Sequence, residues 1–151
     1  MARQRESEVN PFLQGNFAPW RMEGDAPDLE VIGELPRELV RTYYRNGPNP
    51  AYEPLGRYHW FDGDGMVHAI RIEDGRAHYR NRWVASEGLK EERAAGRALY
   101  PGLLELGKGE SLKFKVTANT NIVFHARRLL ALVESSLPTE LDARTLETLG
   151  L

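Results

Sequence analysis

The clearest pattern in the chain is an alternation of apolar and polar residues, which is typical of β-strands separated by short turns. Strands are predicted over residues 58–61, 66–72, 76–84, 114–124 and 129–134. A further hairpin is predicted over residues 138–142 and 145–149. Asp62-Gly63-Asp64-Gly65 predicts the first hairpin turn and Glu73-Asp74-Gly75 the second. Because groups of three or four strands separated by excursions are typical of propeller blades, the predicted fold class is an all-β propeller.

Short helical excursions interrupt this β pattern. A helix is predicted over residues 36–44, where Pro36 suits the first helical position and three apolar side chains share a face. A second helix is predicted within residues 87–107, where helical spacing continues until Pro101-Gly102. The chain therefore divides into an N-terminal arm and entry segment, residues 1–35, and the first propeller blades, residues 36–151.

The last predicted strand, residues 145–149, has no partner strand after it. Complete proteins usually cover an unpaired edge of this kind. We therefore expect the chain to be the N-terminal part of a longer protein, in which the propeller is incomplete as given.

Composition narrows the class of protein without choosing a function. The 151 residues are 41% hydrophobic and 28% charged, as in ordinary globular domains, and a net charge of −2 gives no argument for a nucleic-acid partner or an anionic membrane surface. The absence of cysteine excludes disulfides, thiolate nucleophiles and iron–sulfur clusters. The polar N-terminus is unlike a secretory signal, and no apolar run approaches the roughly 20 residues of a membrane span. A cytoplasmic location is therefore expected.

Arginines gather in one stretch of the predicted sheet: Arg71, Arg76, Arg80 and Arg82. They have two interpretations, a solvated strand face and a phosphate-binding patch. Because they interleave with strand-forming residues and have acidic neighbours, we favour the solvated face.

The four histidines offer one candidate pair. If Asp62–Gly65 closes a hairpin, His59 lies directly opposite His68, close enough for both imidazoles to reach one metal ion. The alternative, which we favour, is that both imidazoles form hydrogen bonds inside a packed blade. The same loop resembles the opening of a calcium loop but lacks a distal bidentate glutamate, so a turn is preferred. His78 is assigned to a solvated face and His125 to a structural strand end.

Glu134 stands out among the carboxylates. It follows Leu-Ala-Leu-Val on a strand that alternation predicts to be buried, where a carboxylate needs a partner. One suitable partner is the free N–H of a metal-bound histidine, and the alternative is a strand-end side chain that reaches solvent. No Gly-x-Ser-x-Gly elbow, P-loop or Gly-x-Gly-x-x-Gly motif is present to suggest other chemistry.

From Asn10 onward the chain resembles, in colinear order, the N-terminal part of the carotenoid cleavage oxygenases, a family that includes stilbene-cleaving dioxygenases and the retinal pigment epithelium isomerase. The matching strings are Asn10–Pro19, Gly33–Pro36, Arg45–Pro50, Tyr58–Ala69, Tyr79–Arg82, Ala118–Asn121, Leu130–Glu134, Glu140–Asp142 and Thr145–Thr148. The resemblance implies a seven-bladed propeller whose axial non-haem Fe(II) is held by four histidines. The family's first ligand histidine would lie beyond Leu151, and none of the four histidines of this chain matches a ligand. No metal is therefore expected to be bound by this chain alone.

The resemblance also implies roles for four residues of this chain. Glu134 matches an outer-shell glutamate that hydrogen-bonds a ligand histidine, and Val133 matches a position that lines the active-site cavity. Thr120 matches a position that crowds the open coordination site of the iron, and Phe61 matches an aromatic residue that helps line the substrate tunnel. Residues 88–107 match a variable region that forms an apolar, membrane-facing entrance in some relatives. Here that region is charged, so membrane contact through it is not expected.

The implied function is that of an Fe(II)-dependent dioxygenase, which inserts O₂ into a conjugated carbon–carbon double bond and yields two carbonyl products. Its substrate would be an apolar carotenoid, apocarotenoid or stilbene, and its partners would be the remaining propeller blades. The alternative is a catalytically incomplete propeller fragment with no activity of its own. A third possibility, a stand-alone β-domain that binds an apolar ligand, requires the last strand to find a partner within these residues.

Overall fold

The computed structural model describes residues 10–105 and 115–151, which contain two four-stranded antiparallel sheets. The first sheet has the spatial order β1-β4-β3-β2, and the second runs in chain order from β5 to β8. The strands of the first sheet are β1 (Gly24–Ala26), β2 (Arg41–Pro48), β3 (Gly65–Glu73) and β4 (Arg76–Trp83). Those of the second are β5 (Asn121–His125), β6 (Arg128–Leu132), β7 (Thr139–Leu141) and β8 (Thr148–Gly150). The expectation of an all-β fold with short helical excursions is confirmed.

Two tight turns join neighbouring strands, and the first lies where the sequence predicts it. Asp74 and Gly75 join β3 to β4 with φ angles of 52° and 74°, the left-handed pair that a two-residue hairpin requires. Ala126 and Arg127 join β5 to β6 with φ angles of 48° and 66°. The second turn is formed without glycine, so strand pairing on both sides holds a conformation that these residues rarely adopt.

A helix, α1 (Glu87–Ala95), forms in the second predicted helical segment. Ser86 caps its first turn by accepting a hydrogen bond from the Leu89 N–H, and Gly96 ends it with a left-handed φ of 67°. Short 3₁₀ turns occur at Pro11–Leu13, Gly15–Phe17, Trp60–Asp62 and Leu103–Glu105. Among the described residues, no helix has the length and apolar character needed to cross a membrane.

The predicted helix over residues 36–44 is wrong. Only a turn forms there, with the Leu39 N–H donating to the Pro36 carbonyl at 3.1 Å, and β2 begins at Arg41. The residues Thr42, Tyr43 and Tyr44 are β-branched or aromatic, and pairing with β3 along the whole of β2 overrides the weak helical spacing.

The predicted hairpin over residues 58–72 is also wrong. Trp60–Asp62 is a 3₁₀ turn, and β3 pairs with β2 and β4 instead of with residues 58–61. His68 therefore lies opposite Arg45 on one neighbouring strand and Asn81 on the other, and not opposite His59. The Asp/Gly-rich loop turns the chain into β3 without closing a hairpin.

Three strand boundaries differ from the predictions. The strand predicted over 114–124 begins at Asn121, and Phe114 lies outside the described residues. β6 ends at Leu132, two residues before Glu134. The last strand, β8, pairs with the preceding β7, which confirms the predicted final hairpin, but it begins at Thr148 instead of Thr145. The condition for the stand-alone β-domain is therefore met.

The hydrophobic core lies between the two sheets. Val67 and Ala69 of β3 pack with Leu129 and Ala131 of β6, and all four side chains are buried. Hydrogen bonds cross the same seam, since the Tyr44 hydroxyl donates to the Ala143 carbonyl at 2.7 Å. The seam fixes the position of one sheet relative to the other.

The described part of the N-terminal arm packs on the first sheet instead of forming a separate unit. The Asn49 side chain donates to the Trp20 carbonyl at 2.6 Å and accepts from the Trp20 N–H at 2.8 Å. The Asn81 side chain binds the arm in a similar way: it donates to the Met22 carbonyl and accepts from the Gly24 N–H. These two buried asparagines guide the arm into β1.

One tight backbone contact joins the start of β3 to the segment that leads into β5. The Gly65 N–H donates to the Thr117 carbonyl at 2.7 Å. A Cβ atom at position 65 would lie 2.9 Å from that carbonyl oxygen and closer still to the carbonyl oxygen of Ala118. Because both neighbours are backbone atoms that cannot turn aside, this position requires glycine.

We expect Gly65→Ala to lower the free energy of unfolding by about 1–3 kcal/mol, because the added methyl group forces the two segments apart. Urea unfolding of the two proteins measures this difference. Gly24→Ala is the matched control in the same sheet, since its Cβ would lie 3.8 Å from the nearest atom, Asn81 Oδ1. The control should change stability by less than about 1 kcal/mol. Equal losses in the two variants would contradict the steric explanation.

Candidate functional site

The four residues that the sequence assigns to the site line one cavity of about 400 Å³. Phe61 comes from the turn before β3, Thr120 from the residue before β5, and Val133 and Glu134 from the segment after β6. Much of the remaining wall is apolar, formed by proline, leucine and tyrosine side chains. These include Pro50, Pro54, Leu55, Tyr58, Tyr100 and Leu103. The structure thus brings together residues that are up to 73 positions apart in the chain.

Phe61 is held in a reinforced 3₁₀ turn. The Asp62 carboxylate accepts from the His59 N–H at 2.9 Å, and His59 Nδ1 accepts from the Phe61 N–H at 3.2 Å. The buried Asn119 side chain donates to the Phe61 carbonyl at 3.1 Å and to the Gly63 carbonyl at 2.6 Å. With its backbone fixed, the Phe61 side chain remains 58% exposed and is available to contact a ligand.

Thr120 and Glu134 are neighbours because Thr120 is bound to the end of β6. The backbone N–H and the side-chain hydroxyl of Thr120 both donate to the Leu132 carbonyl, at 3.1 Å and 2.9 Å. Val133 and Glu134 follow directly, outside the strand. The expectation that Glu134 lies on a buried strand is wrong, because the β5–β6 pairing ends at Leu132. Glu134 is exposed, and within the described residues its carboxylate accepts no hydrogen bond.

A second cavity of about 650 Å³ meets the first at Phe61, Thr120 and Glu134, which line both. Its wall also includes aromatic residues of the arm together with Arg45 and His68. Glu134 therefore stands between two cavities instead of inside the core.

The histidines do not converge on a common site. The His59 ring packs against Phe12 and Phe61 at centroid distances of 4.6 Å and 4.5 Å, and His68 Nδ1 lies 2.7 Å from the Tyr79 hydroxyl. Burial lowers the pKa of His68, and the charge of Arg45 lowers it further. In residues 10–105 and 115–151, no three histidine, aspartate or glutamate side chains lie close enough to hold a metal ion. The described residues therefore do not supply the ligand set of an iron site.

The two aspartates of the Asp/Gly-rich loop bind protein groups. Asp62 accepts hydrogen bonds from the backbone N–H groups of His59 and Leu103, at 2.9 Å and 2.8 Å. Asp64 is buried and accepts from the Ala51 N–H at 3.1 Å. Both carboxylates are thus engaged by other parts of the chain, and the calcium-loop alternative finds no support.

A buried ion triad forms part of the cavity wall. Lys115 Nζ lies 2.8 Å from Glu92 Oε2 and 2.9 Å from Asp64 Oδ1. The three side chains are only 11%, 2% and 3% exposed, in the order Lys115, Glu92, Asp64. The second oxygen of Glu92 accepts from the Leu99 N–H at 2.9 Å. The triad thus connects α1 and the segment after it to the start of β3.

Two carboxylates share one ammonium in this triad, so its formal charge is −1. Burial raises the pKa of Asp64, against the opposing effect of Lys115. Burial alone would lower the pKa of Lys115, but the charges of Asp64 and Glu92 outweigh it and the net direction is upward. The upward direction for Asp64 thus follows from burial, and that for Lys115 from its two neighbouring carboxylates.

The sequence reasoning missed this triad. It assigned Asp64 to a hairpin turn and used the charges of residues 88–107 only as an argument against membrane contact. A signal was available in the helix, because Glu92 lies three residues after the buried Leu89 and therefore on the same face. Asn119, which holds the Phe61 turn, was noted only as part of a matching string.

Comparison with known proteins assigns the chain to a family. Residues 17–151 match the sequence model of the family described as retinal pigment epithelial membrane protein, which contains the carotenoid cleavage oxygenases. The chain belongs to this family. The sequence-based resemblance is therefore confirmed.

Curated relatives in this family act on several substrates. The chain is 46% identical over 144 residues to resveratrol cleavage oxygenase 1 of Aspergillus fumigatus, covering 93% of this chain and 29% of the relative. It is 40% identical over 154 residues to isoeugenol monooxygenase of Pseudomonas nitroreducens, covering 99% and 32%. A carotenoid 9,10(9',10')-cleavage dioxygenase of Arabidopsis thaliana is 40% identical, covering 93% and 30%. The chain thus spans about a third of the length of the curated relatives it matches.

Solved structures agree with this assignment. The lignostilbene dioxygenase of Pseudomonas brassicacearum superposes with a TM-score of 0.85 at 38% identity, covering 93% of this chain and 30% of that one. The Synechocystis apocarotenoid oxygenase superposes with a TM-score of 0.77 at 35% identity, covering 88% and 30%. Structures of the latter protein carry substitutions at a threonine, at a tryptophan, and at the glutamate that directly follows this tryptophan. The carotenoid oxygenases are β-propellers, and the two sheets described here match part of that architecture.

We expect Lys115→Met to lower the free energy of unfolding by about 3–5 kcal/mol, because it leaves two buried carboxylates without their cation. Urea unfolding measures the change. Lys90→Met on α1 is the matched control, since Lys90 is 55% exposed and pairs only with the exposed Glu87. It should change stability by no more than about 0.5 kcal/mol. A similar loss in both variants would show that the triad contributes nothing beyond a surface pair.

The triad also predicts a loss of stability in alkali. The pKa of Lys115 is raised in the folded state above its ordinary value of 10.5. The stabilisation from its positive charge is therefore complete below pH 10.5 and is lost as the pH rises through the raised value. Unfolding free energies between pH 9 and pH 12 would show this decline, and Lys115→Arg should reduce it because arginine keeps its proton. Tyrosine ionisation is common to both proteins, so identical declines would contradict the assignment to Lys115.

Proposed function

We propose that the chain is the N-terminal part of a non-haem Fe(II) dioxygenase that cleaves a conjugated carbon–carbon double bond of a carotenoid, apocarotenoid or stilbene to two carbonyl products. The complete protein would be a seven-bladed propeller, with its iron ligands supplied by residues outside those described here. When bound, the iron would supply O₂ activation. This chain would contribute part of the apolar substrate cavity and one group that orients an iron ligand.

The observation that carries this proposal is the convergence of Phe61, Thr120, Val133 and Glu134 on one largely apolar cavity. A long polyene or a stilbene is apolar and needs such a surface to leave water. Phe61, with its backbone fixed by Asn119, would contact the substrate. The Thr120 hydroxyl donates its proton to Leu132, so its oxygen and methyl group are what it can present to the cavity.

Glu134 would act as the orienting group. Its carboxylate is exposed at the junction of the two cavities and accepts no hydrogen bond from the described residues. A carboxylate in this state can accept the free N–H of a metal-bound histidine, which fixes the imidazole and makes it more basic. Glu134 would therefore be a positioning residue.

Spacing gives independent support. In the Synechocystis apocarotenoid oxygenase, the substituted threonine and glutamate are separated by the same number of residues as Thr120 and Glu134, and the substituted tryptophan stands where this chain has Val133. Valine is much smaller than tryptophan, so the cavity beside Glu134 would be wider in this protein. Relatives named for resveratrol, lignostilbene and carotenoid cleavage leave both substrate classes open.

The second candidate function, a fragment without activity of its own, is favoured by the histidine contacts. His59 and His68 are engaged by Phe61 and Tyr79, and the described residues bring no third ligand to either. Both hypotheses can be compared in one experiment. Iron content and O₂-dependent cleavage of an apocarotenoid and a stilbene would be measured for this chain and for a longer protein that contains it.

We expect iron and cleavage in the longer protein only. Failure of that protein to cleave either substrate would overturn the oxygenase proposal. Stoichiometric iron in the short chain would overturn the fragment hypothesis. Binding of an apolar ligand by the short chain without iron would favour the stand-alone β-domain instead.

We expect Glu134→Gln to lower the iron affinity or the cleavage rate of the longer protein about 10–100-fold, because an amide is a weaker acceptor for the ligand imidazole. Iron content after dialysis against a chelator and the cleavage rate measure the two effects. Glu147→Gln, at another exposed glutamate, is the matched control and should leave both unchanged. A purely structural role for Glu134 would instead lower the melting temperature of the variant with its iron affinity intact.

A further inference from the structure

A cleft of about 860 Å³ between the two sheets is separate from the proposed substrate cavity and shares no lining residue with it. Arg41, Arg71 and Arg80 line it from the first sheet, and Arg144 lines it from the loop between β7 and β8. Its lining carboxylates are Asp25 and Glu73. The four arginines and two carboxylates together carry a formal charge of +2.

Two of these arginines are held by the carboxylates. Arg71 Nη2 lies 2.6 Å from Glu73 Oε2. Arg80 pairs with Asp25 and also donates to the Arg144 carbonyl at 2.7 Å. The arginines Arg82 and Arg80 hold the pKa of Asp25 below its usual value, so this carboxylate stays ionised and occupied. The paired arginines are thus oriented before any ligand arrives.

The other two arginines have no carboxylate partner among the described residues. Within residues 10–105 and 115–151, Arg41 donates only to the carbonyl of its neighbour Val40, at 2.7 Å, and the Arg144 side chain makes no hydrogen bond or ion pair. Their charges are therefore available. Both residues line the cleft, Arg41 at the first position of β2 and Arg144 in the β7–β8 loop.

The loop that carries Arg144 has a fixed backbone. Asp142 Oδ1 accepts from the N–H groups of Thr145 and Arg144, at 2.7 Å and 2.8 Å, and these hydrogen bonds lower the pKa of Asp142. The Tyr44 hydroxyl binds the Ala143 carbonyl, which ties the loop to the first sheet. Arg144 is thus presented to the cleft from a preorganised position, which reduces the entropic cost of binding.

We propose that this cleft binds the phosphate group of a small soluble phosphate monoester. A phosphate monoester carries a charge of about −1.5 to −2 at neutral pH, which matches the excess charge of the cleft. Guanidinium groups suit phosphate oxygens because their planar N–H donors can bind two oxygens at once. Phe124 is 59% exposed and also lines the cleft, so an apolar ester group would have a surface to cover.

The structure changes the interpretation of the arginine stretch in the sequence. A fully solvated strand face does not describe Arg71 and Arg80, because both line the cleft between the sheets and their side chains are only 32% and 33% exposed. Arg76 and Arg82 do not line it. The site therefore draws on half of the sequence cluster and adds Arg41 and Arg144, which the sequence did not connect with it.

The test is a titration of the chain with inorganic phosphate at constant ionic strength, followed by amide chemical shifts and by calorimetry. We expect saturable changes in the amide chemical shifts of residues 142–147. Arg144→Gln and Arg41→Gln should each bind phosphate roughly tenfold more weakly, because each loses one charge-assisted contact. Arg37→Gln is the matched control, since Arg37 is exposed and lies outside the cleft, and it should bind like the wild type. Chloride and acetate should not compete at equal concentration.

Three results would overturn the proposal. The first is the absence of saturable binding of phosphate. The second is an equal loss in Arg37→Gln, which would show attraction to surface charge in general. The third result would come from a binding measurement with vesicles of phosphatidylcholine, with and without phosphatidic acid. Arg144-dependent binding to the acidic vesicles, with none of soluble phosphate, would assign the site to a lipid headgroup instead.

Discussion

The ion triad of Asp64, Lys115 and Glu92 is the interaction on which the candidate site depends. Its members come from the start of β3, from α1 and from the segment that leads into β5, and the triad joins these three parts of the chain at one buried point. Buried charges are costly to remove from water, so the three side chains must stay together. An apolar replacement of similar shape could match the triad in stability. It would not hold the three segments in one fixed arrangement, and we take that arrangement as the reason for the charges.

The second constraint is the seam between the sheets, where contacts bring the Phe61 turn and the Glu134 segment to the same cavity. Gly65 lets the start of β3 approach the Ala118 carbonyl, and Asn119 can then reach back to the Phe61 and Gly63 carbonyls. Thr120 follows and binds the end of β6, which places Glu134 beside it. Four consecutive residues, 117–120, thus connect the Phe61 turn to the Glu134 segment, and the cavity between them exists because the backbone of each side is fixed by the other.

Local signals in the sequence were sufficient for part of the fold. The Asp74-Gly75 turn, the capped helix α1 and the final hairpin all follow from short-range rules. The failures share a cause, which is long-range pairing. Residues 36–44 have helical spacing, but residues 41–48 form β2 and pair with β3. Because β2 occupies that edge of β3, residues 58–61 cannot form the hairpin that their sequence suggests. Neither result can be read from a window of a dozen residues.

The candidate site shows the same division. Phe61, Thr120, Val133 and Glu134 were found through matched strings, because family resemblance carries long-range information that periodicity lacks. The triad and the arginine cleft were not found, since each depends on which residues of distant elements face each other. The sequence shows Arg71 and Arg80 interleaved with strand-forming residues, but only the packing of the second sheet shows that both line a cleft.

The proposed substrate cavity and the arginine cleft differ in chemistry, although the same pair of sheets forms both. At the junction of β5, β6 and the Phe61 turn the cavity wall is largely apolar, and its charged residues are one lysine and four carboxylates, which give a formal charge of −3: Lys115, Asp62, Asp64, Glu92 and Glu134. At the β7–β8 loop the excess is positive and two guanidinium groups lack a carboxylate partner in the part of the chain described here. An apolar polyene would bind poorly in the cleft, because it has no charge to pair with the arginines. A phosphate dianion would bind poorly in the apolar cavity, because it would lose its water without gaining a cationic partner. The hydrogen bond from the Tyr44 hydroxyl to the Ala143 carbonyl ties the Arg144 loop to β2, so the same seam that holds the two sheets together also positions the cleft.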